Sequence, residues 1–186
     1  MKMFNINNRR YIGSKARMLN FIDEVIKKEK IEFSSFLDLF GGTGIVGDYF
    51  NNQKTKVYVN DLLKSNYLSY LAWFGNDKIN KKKLEDIINK YNSLKNLKDN
   101  YFSINFSDTY FSKNNCKKIG YIREDIENKY LNDEINTRER AILITSLLYS
   151  MDKIANTVGH YDAYRKNGNL NKKLELYMLD LKSNVN

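Results

Sequence analysis

From Met18 to Ile26 the apolar residues Met18, Phe21, Ile22, Val25 and Ile26 recur at helical intervals and define one face of a helix. Ser14 stands where that helix would begin and can cap it, so the helix is expected to run to about Lys28. Two short apolar runs, Ser35 to Phe40 and Lys56 to Val59, read as strands. Ile45 to Asn51 begins a helix between them. Leu63, Tyr67, Tyr70, Leu71 and Phe74 mark another helix, from about Leu62 to Phe74. This strand–helix–strand–helix succession predicts parallel strands with crossover helices, and hence an α/β fold.

The pattern then changes. From Asn76 to about Asn132 the chain is polar and lysine-rich, with a helix predicted from Lys81 to Leu97. Lys81-Lys82-Lys83 reads as a solvated helix start, and Tyr101 to Phe111 as core rather than a base-stacking platform. Asn136-Thr137-Arg138-Glu139 is a capping-box sequence, with Asn136 as cap and Glu139 reaching back. It opens a helix whose stripe is Ala141, Ile144, Leu147, Leu148, Met151 and Ile154, with Gly159 as a stop. Leu174 to Leu181 alternates as a strand would. The organisation expected is a cofactor-binding part at 1–76, a mainly helical insert at 77–169, and a further piece of sheet beginning at 170–186.

Composition changes this picture only in places. Thirty-one basic against 22 acidic residues leave a net charge of +9, which suits a polyanionic partner. Lysine and asparagine abound while proline is absent, a bias that an AT-rich genome also produces, so charge alone leaves DNA binding open. Hydrophobic residues at 42% and charged residues at 28% fit a globular chain. No apolar run approaches the roughly 20 residues of a membrane helix, and the first residues lack a signal-peptide core. The single cysteine, Cys116, leaves no internal disulfide, so a cytoplasmic location is expected.

The chemistry concentrates in Phe36-Leu37-Asp38-Leu39-Phe40-Gly41-Gly42-Thr43-Gly44, an apolar strand breaking into a glycine turn. Upstream stands Arg10-Tyr11-Ile12-Gly13-Ser14-Lys15, and downstream the second strand ends in Val59-Asn60-Asp61. A phosphate-loop NTPase is excluded, because no glycine loop after a strand closes on Gly-Lys-Ser/Thr. Gly42-x-Gly44-x-x-Gly47 does fit the dinucleotide pattern, which keeps NAD or FAD as a formal competitor.

These three segments, in this order, resemble the Dam-like class of adenine-specific DNA methyltransferases of type II restriction systems. Asp152-Lys153-Ile154-Ala155-Asn156-Thr157-Val158-Gly159-His160-Tyr161 is similar to a later segment of such enzymes. The resemblance implies a Rossmann-like fold with S-adenosylmethionine as methyl donor and double-stranded DNA as substrate. It implies that Tyr11, Gly13, Lys15, Asp38, Phe40, Gly42, Gly44 and Asp61 form the cofactor site. Gly42 and Gly44 would let backbone approach the methionine and ribose portion, and Asp61 would accept from the ribose hydroxyls. Asp38 would steady the turn or receive the ligand's ammonium, and Lys15 would pair with its carboxylate. The lesser alternatives are Lys15 as a solvated lysine, Tyr11 as a packed aromatic and Asp61 as a helix cap. Lys153, Asn156, Thr157, His160, Tyr161, Tyr164 and Arg165 combine donors, aromatics and positive charge, which suits contact with DNA. His160 is a histidine that this chemistry does not require.

One departure outweighs the matches. The family's catalytic turn, Asp/Asn-Pro-Pro-Tyr/Phe, needs proline, and this chain has none. In the family that turn follows the recognition insert, so the chain reads as the N-terminal portion of a methyltransferase, with a partial sheet and no catalytic residue of its own. Two function classes follow. One is a truncated or split methyltransferase that works with a complementary C-terminal fragment. The other is a non-catalytic module, or gene remnant, that holds S-adenosylmethionine or DNA.

Overall fold

The computed structural model describes residues 2–9, 13–51, 55–157, 161 and 163–181. The chain runs β1 (Met3–Phe4), α1 (Leu19–Lys28), β2 (Ser35–Asp38), α2 (Ile45–Asn51), β3 (Lys56–Val59) and α3 (Lys64–Phe74). It continues through α4 (Lys81–Ser93), α5 (Tyr101–Phe106), α6 (Lys113–Leu131), α7 (Thr137–Ile154) and β4 (Met178–Leu179).

β2 and β3 pair in parallel, with Phe36 opposite Val57 and Leu37 opposite Tyr58, and α2 crosses between them as the spacing predicted. Phe36 turns inward and stacks on Phe50 of α2, with ring centroids 4.2 Å apart. Leu37 and Tyr58 point to the other face and remain exposed. The sheet is therefore covered on one side only. A second parallel pair, β1 with β4, ties the N-terminal segment to residues 178 and 179.

α3 lies along α7, and the main core gathers around this pair. Trp73 on α3 donates its indole N–H to Tyr149 Oη on α7 at 3.3 Å, and that hydroxyl donates to Ile6 O at 3.3 Å. α3 buries Asn66, Leu68, Ser69, Tyr70, Ala72 and Trp73, residues spread around its axis, because it is packed on both sides.

Several expected elements are corrected. A 3-10 turn, Lys15–Met18, precedes α1, and Ser14 accepts from Ala16 N there. The expected apolar face of α1 is split: Ile22 and Ile26 pack on the core, while Met18, Phe21 and Val25 are exposed. β2 ends at Asp38 rather than Phe40, and α4 ends at Ser93. Within Tyr101 to Phe111, Phe111 is buried, but Tyr101, Ile104 and Phe106 are exposed. The 19-residue helix α6 fills a stretch in which no helix was predicted. Gly159 lies outside the described residues.

Leu174 to Leu181 is extended as its alternation suggests, yet only residues 178 and 179 pair with a strand. Side chains replace the missing strand partner. Asn92 accepts from Leu176 N and donates to Leu176 O, both at 2.8 Å. Asn115 accepts from Leu174 N at 3.2 Å and donates to Lys172 O at 2.7 Å. Buried Lys118 donates to the carbonyls of Asn92 and Leu174, and burial pushes its pKa down. The alternation was a correct sign of burial, and of a ladder only at Met178 and Leu179.

The predicted capping box of α7 forms and does more than cap. Asn136 Oδ1 accepts from Glu139 N at 2.9 Å, and Glu139 accepts from Asn136 N at 3.0 Å. Buried Glu139 also accepts from Asn80 N at 2.8 Å and Lys83 Nζ at 2.6 Å, so one carboxylate binds the starts of α4 and α7 together. Lys83 is thus an ion-pair partner rather than part of a solvated helix start.

Candidate cofactor site

The site is built where β2 and β3 end. Beyond the last ladder pair, Asn60 N donates to Asp38 O at 2.9 Å and Gly41 N to Asn60 O at 2.8 Å. Asn60 Nδ2 donates to Leu39 O at 3.0 Å, which carries the strand pairing around the bend. Glycine is dictated here by space and conformation. A Cβ on Gly41 would lie 2.4 Å from Val59 Cγ1 and 2.7 Å from Tyr70 Oη. Gly42 and Gly44 have φ of +55° and +82°, a region costly for other residues.

Asp61 holds this turn. Its Oδ2 accepts from Gly42 N and its Oδ1 from Leu63 N, both at 2.9 Å. Tyr70 Oη donates to Gly42 O at 2.8 Å from the buried side. Burial alone would raise the Asp61 pKa, but the N–H groups of Leu63 and Gly42, with Asn66 and Tyr70, outweigh it and lower the value. Asp61 is therefore ionised at neutral pH, half-buried, and aligned by backbone donors.

Asp38 is the second acid of the site. It is buried at the end of β2, and its Oδ1 accepts from Lys15 Nζ at 2.9 Å. The same ammonium donates to Phe40 O at 2.7 Å, so Lys15 closes the N-terminal segment onto the turn. Among the described residues no donor reaches Asp38 Oδ2, although the atom is buried. A buried carboxylate oxygen without a donor is costly and fits an incoming cation. Phe40 is 80% exposed and Leu62, next to Asp61, is 98% exposed, which leaves two apolar side chains beside the acids.

The structure thus brings together Lys15, Asp38, Phe40, Gly42, Gly44 and Asp61. Gly13 has a φ of +83°, and a Cβ there would meet nothing within 4 Å, so conformation rather than space calls for glycine. Tyr11 lies outside the described residues. Residues that the sequence reading missed are Asn60 and Tyr70, which brace the turn, and buried Asn66, whose Oδ1 accepts from Arg9 Nη1 at 2.6 Å. Asn66 carried a signal: it is a polar residue inside the packed stripe of α3.

The later segment behaves differently. Asn156 is buried, and its Nδ2 donates to Thr109 O at 3.1 Å and Arg165 O at 2.9 Å. Thr157 is buried and bridges to Tyr164. These two residues shape a loop whose outer side carries exposed Tyr161, Tyr164 and Arg165. Tyr110 packs against both, its ring tilted toward Tyr161 at a centroid distance of 5.3 Å and edge-on to Tyr164 at 5.9 Å. Lys153 lies elsewhere, over the Tyr177 ring at 5.0 Å. His160 lies outside the described residues.

A family model for D12 class N6 adenine-specific DNA methyltransferases matches residues 11–186. The chain belongs to that family. Among curated relatives, Modification methylase LlaI of Lactococcus lactis subsp. lactis is 32% identical over 195 residues, covering 95% of this chain and 30% of that protein. Type II methyltransferase M.FokI of Planomicrobium okeanokoites is 34% identical, covering 94% of this chain and 30% of its own length. Type II methyltransferase M.NlaIII of Neisseria lactamica is 30% identical, with 84% of this chain and 49% of its own length covered. The chain spans less than half the length of these relatives. No solved structure matches it. Among the described residues no cluster could hold a metal ion, and no helix is long and apolar enough to cross a membrane.

Family membership also bears on the dinucleotide alternative. A dinucleotide fold binds pyrophosphate on the amides of the glycine turn, whereas here Gly42 N is taken by the Asp61 carboxylate.

Proposed function

We propose that this chain is the cofactor-binding and DNA-facing portion of an adenine-specific DNA methyltransferase of a type II restriction–modification system, acting in the cytoplasm. It binds S-adenosylmethionine at the glycine turn within a partial Rossmann-like sheet. The observation that carries this reading is the buried Asp38 Oδ2, which no donor among the described residues reaches, beside a turn locked by Asp61. The ligand's ammonium supplies the missing donor at Asp38. Its carboxylate meets the remaining N–H of Lys15, its ribose hydroxyls donate to Asp61, and its adenine lies against Phe40 and Leu62.

The reaction transfers the sulfonium methyl to adenine N6: the N–C bond forms, the S–C bond breaks, and N6 loses a proton. The described residues bind and orient the donor. The groups that activate N6 belong to an Asp/Asn-Pro-Pro-Tyr/Phe turn, and this chain has no proline to form one. The edge of β2 that no described strand pairs, beside the exposed sheet face that carries Leu37 and Tyr58, is the surface on which a further methyltransferase segment completes the sheet. Residues 77–169 form the recognition insert, and DNA contact falls to Tyr161, Tyr164, Arg165 and Lys166, with Asn156 and Thr157 holding their loop.

Calorimetric titration tests the cofactor assignment: S-adenosylmethionine should bind at one saturable site and NAD should not. Absence of binding, or a preference for NAD, would overturn it. Affinity for duplex DNA should fall steeply with salt, and Arg165→Ala should flatten the log–log slope by about 1 through loss of one phosphate contact. A slope unchanged in that variant would remove Arg165 from the interface.

A further inference from the structure

The glycine turn is closed by Gly44 N, which donates to Gly41 O at 2.8 Å. Gly42 takes its second position at a φ of +55° and Thr43 its third at negative φ, the type II′ arrangement. Tyr70 fills the inside of this turn. It is buried, a Cβ on Gly44 would lie 3.2 Å from its Cε1, and its hydroxyl donates to Gly42 O at 2.8 Å. In a trans peptide the C=O and the next N–H point in opposite directions. With Gly42 O drawn inward to Tyr70, the Thr43 N–H points away from the core. Thr43 is 5% exposed, yet its N–H has no acceptor among the described residues. Buried backbone donors are almost always paired. Turning the peptide over would break the Tyr70 bond and make a type I′ turn, which sets the β-branched Thr43 at positive φ. The direction of this N–H is therefore fixed from two sides.

Two groups of the site thus lack a partner among the described residues, and they are of opposite kind: the acceptor Asp38 Oδ2 and the donor Thr43 N–H. The amino-acid end of S-adenosylmethionine carries an ammonium and a carboxylate on one carbon, and so supplies both. We propose that Thr43 N–H binds the ligand's carboxylate, taking the oxygen that Lys15 leaves, and that Tyr70 is the positioning residue that aims it. Asp38 and Thr43 together would then select a ligand with an intact amino-acid end. This role rests on the cofactor reading above; the direction of the peptide does not.

Calorimetric titration with two ligands tests the contact. S-adenosylmethionine carries the carboxylate, and its decarboxylated analogue keeps the amine, sulfonium, ribose and adenine. An α-hydroxy analogue of threonine at position 43 exchanges the N–H for an ester oxygen and should weaken S-adenosylmethionine about tenfold, as for one charged hydrogen bond. Tyr70→Phe removes only the hydroxyl and should weaken it about threefold. The wild-type chain should hold the decarboxylated analogue more weakly, and neither change should weaken that ligand further. Equal losses for both ligands, or no loss for S-adenosylmethionine in the ester protein, would overturn the proposal. NMR on the ligand-free chain tests the aim separately. Tyr70→Phe should shift the Gly42 carbonyl and Thr43 amide signals and leave the Asn60 amide, bonded to Asp38 O, in place. Unchanged Gly42 and Thr43 signals would remove Tyr70 from the role. Failure of the wild-type chain to bind would refute the cofactor reading, while the ligand-free signals would still decide the direction of the peptide.

Discussion

Asp61→Ala should weaken S-adenosylmethionine binding at least a hundredfold, equivalent to about 2.7 kcal/mol. Two losses combine. The proposed acceptor for the ribose hydroxyls disappears, and the Gly42 and Leu63 amides that it holds at 2.9 Å are released, so the turn loses its set shape. Asp61→Asn keeps one carbonyl oxygen and should lose about tenfold, in line with one charged hydrogen bond. Titration calorimetry on the three proteins checks this, and unchanged affinity in the alanine variant would remove Asp61 from the site. The pH dependence has a definite sign. The folded pKa of Asp61 is lowered, so its stabilisation is complete above the unfolded value near 4 and fades as pH falls through the lower folded value.

Glu139→Ala should destabilise the chain by about 3 kcal/mol, because it strands buried donors that one carboxylate now satisfies. Asn80 N, Asn136 N and Lys83 Nζ all point at this 2%-exposed side chain. For a chain of this size the loss corresponds to about 6–12 °C in Tm. Glu139→Gln keeps an acceptor oxygen and should fall between the two, whereas a solvated glutamate would show almost no effect. Burial works to raise the Glu139 pKa, but Lys83 and the two amides lower it overall. Its contribution is therefore present above the unfolded carboxylate value and is lost as pH falls through the depressed one. Thermal melts of the wild-type and variant chains at neutral and acid pH measure both statements.

The elements that the sequence revealed are those governed by local rules. The capping box at Asn136 and the breaks at Gly41 to Gly44 depend on neighbours a few residues away, and both formed as expected. α1 shows the limit of such rules. Its apolar stripe is real, yet Met18, Phe21 and Val25 face solvent, since periodicity states which residues share a face and not whether anything covers it. α6 was hidden because its buried side includes Asn115, Lys118 and Gly120, residues that blur an apolar period. The site divides the same way. The acids and glycines could be found from their spacing, but Asn60 and Tyr70 act through contacts distant in sequence. The same distance explains Asn156, whose residue type suggests DNA contact while its bonds to Thr109 and Arg165 shape a loop.

The exposed face of the β2–β3 sheet is apolar. Leu37 and Tyr58 lie on it, both uncovered. Exposed apolar surface beside an unpaired strand edge favours association. The most direct test mixes the chain with a methyltransferase segment that carries Asp/Asn-Pro-Pro-Tyr/Phe and follows labelled methyl transfer into duplex DNA. The account predicts no transfer by either part alone, and N6-methyladenine from the mixture that is lost again with Asp61→Ala. Transfer by the chain alone, or transfer from the mixture that survives Asp61→Ala, would contradict it.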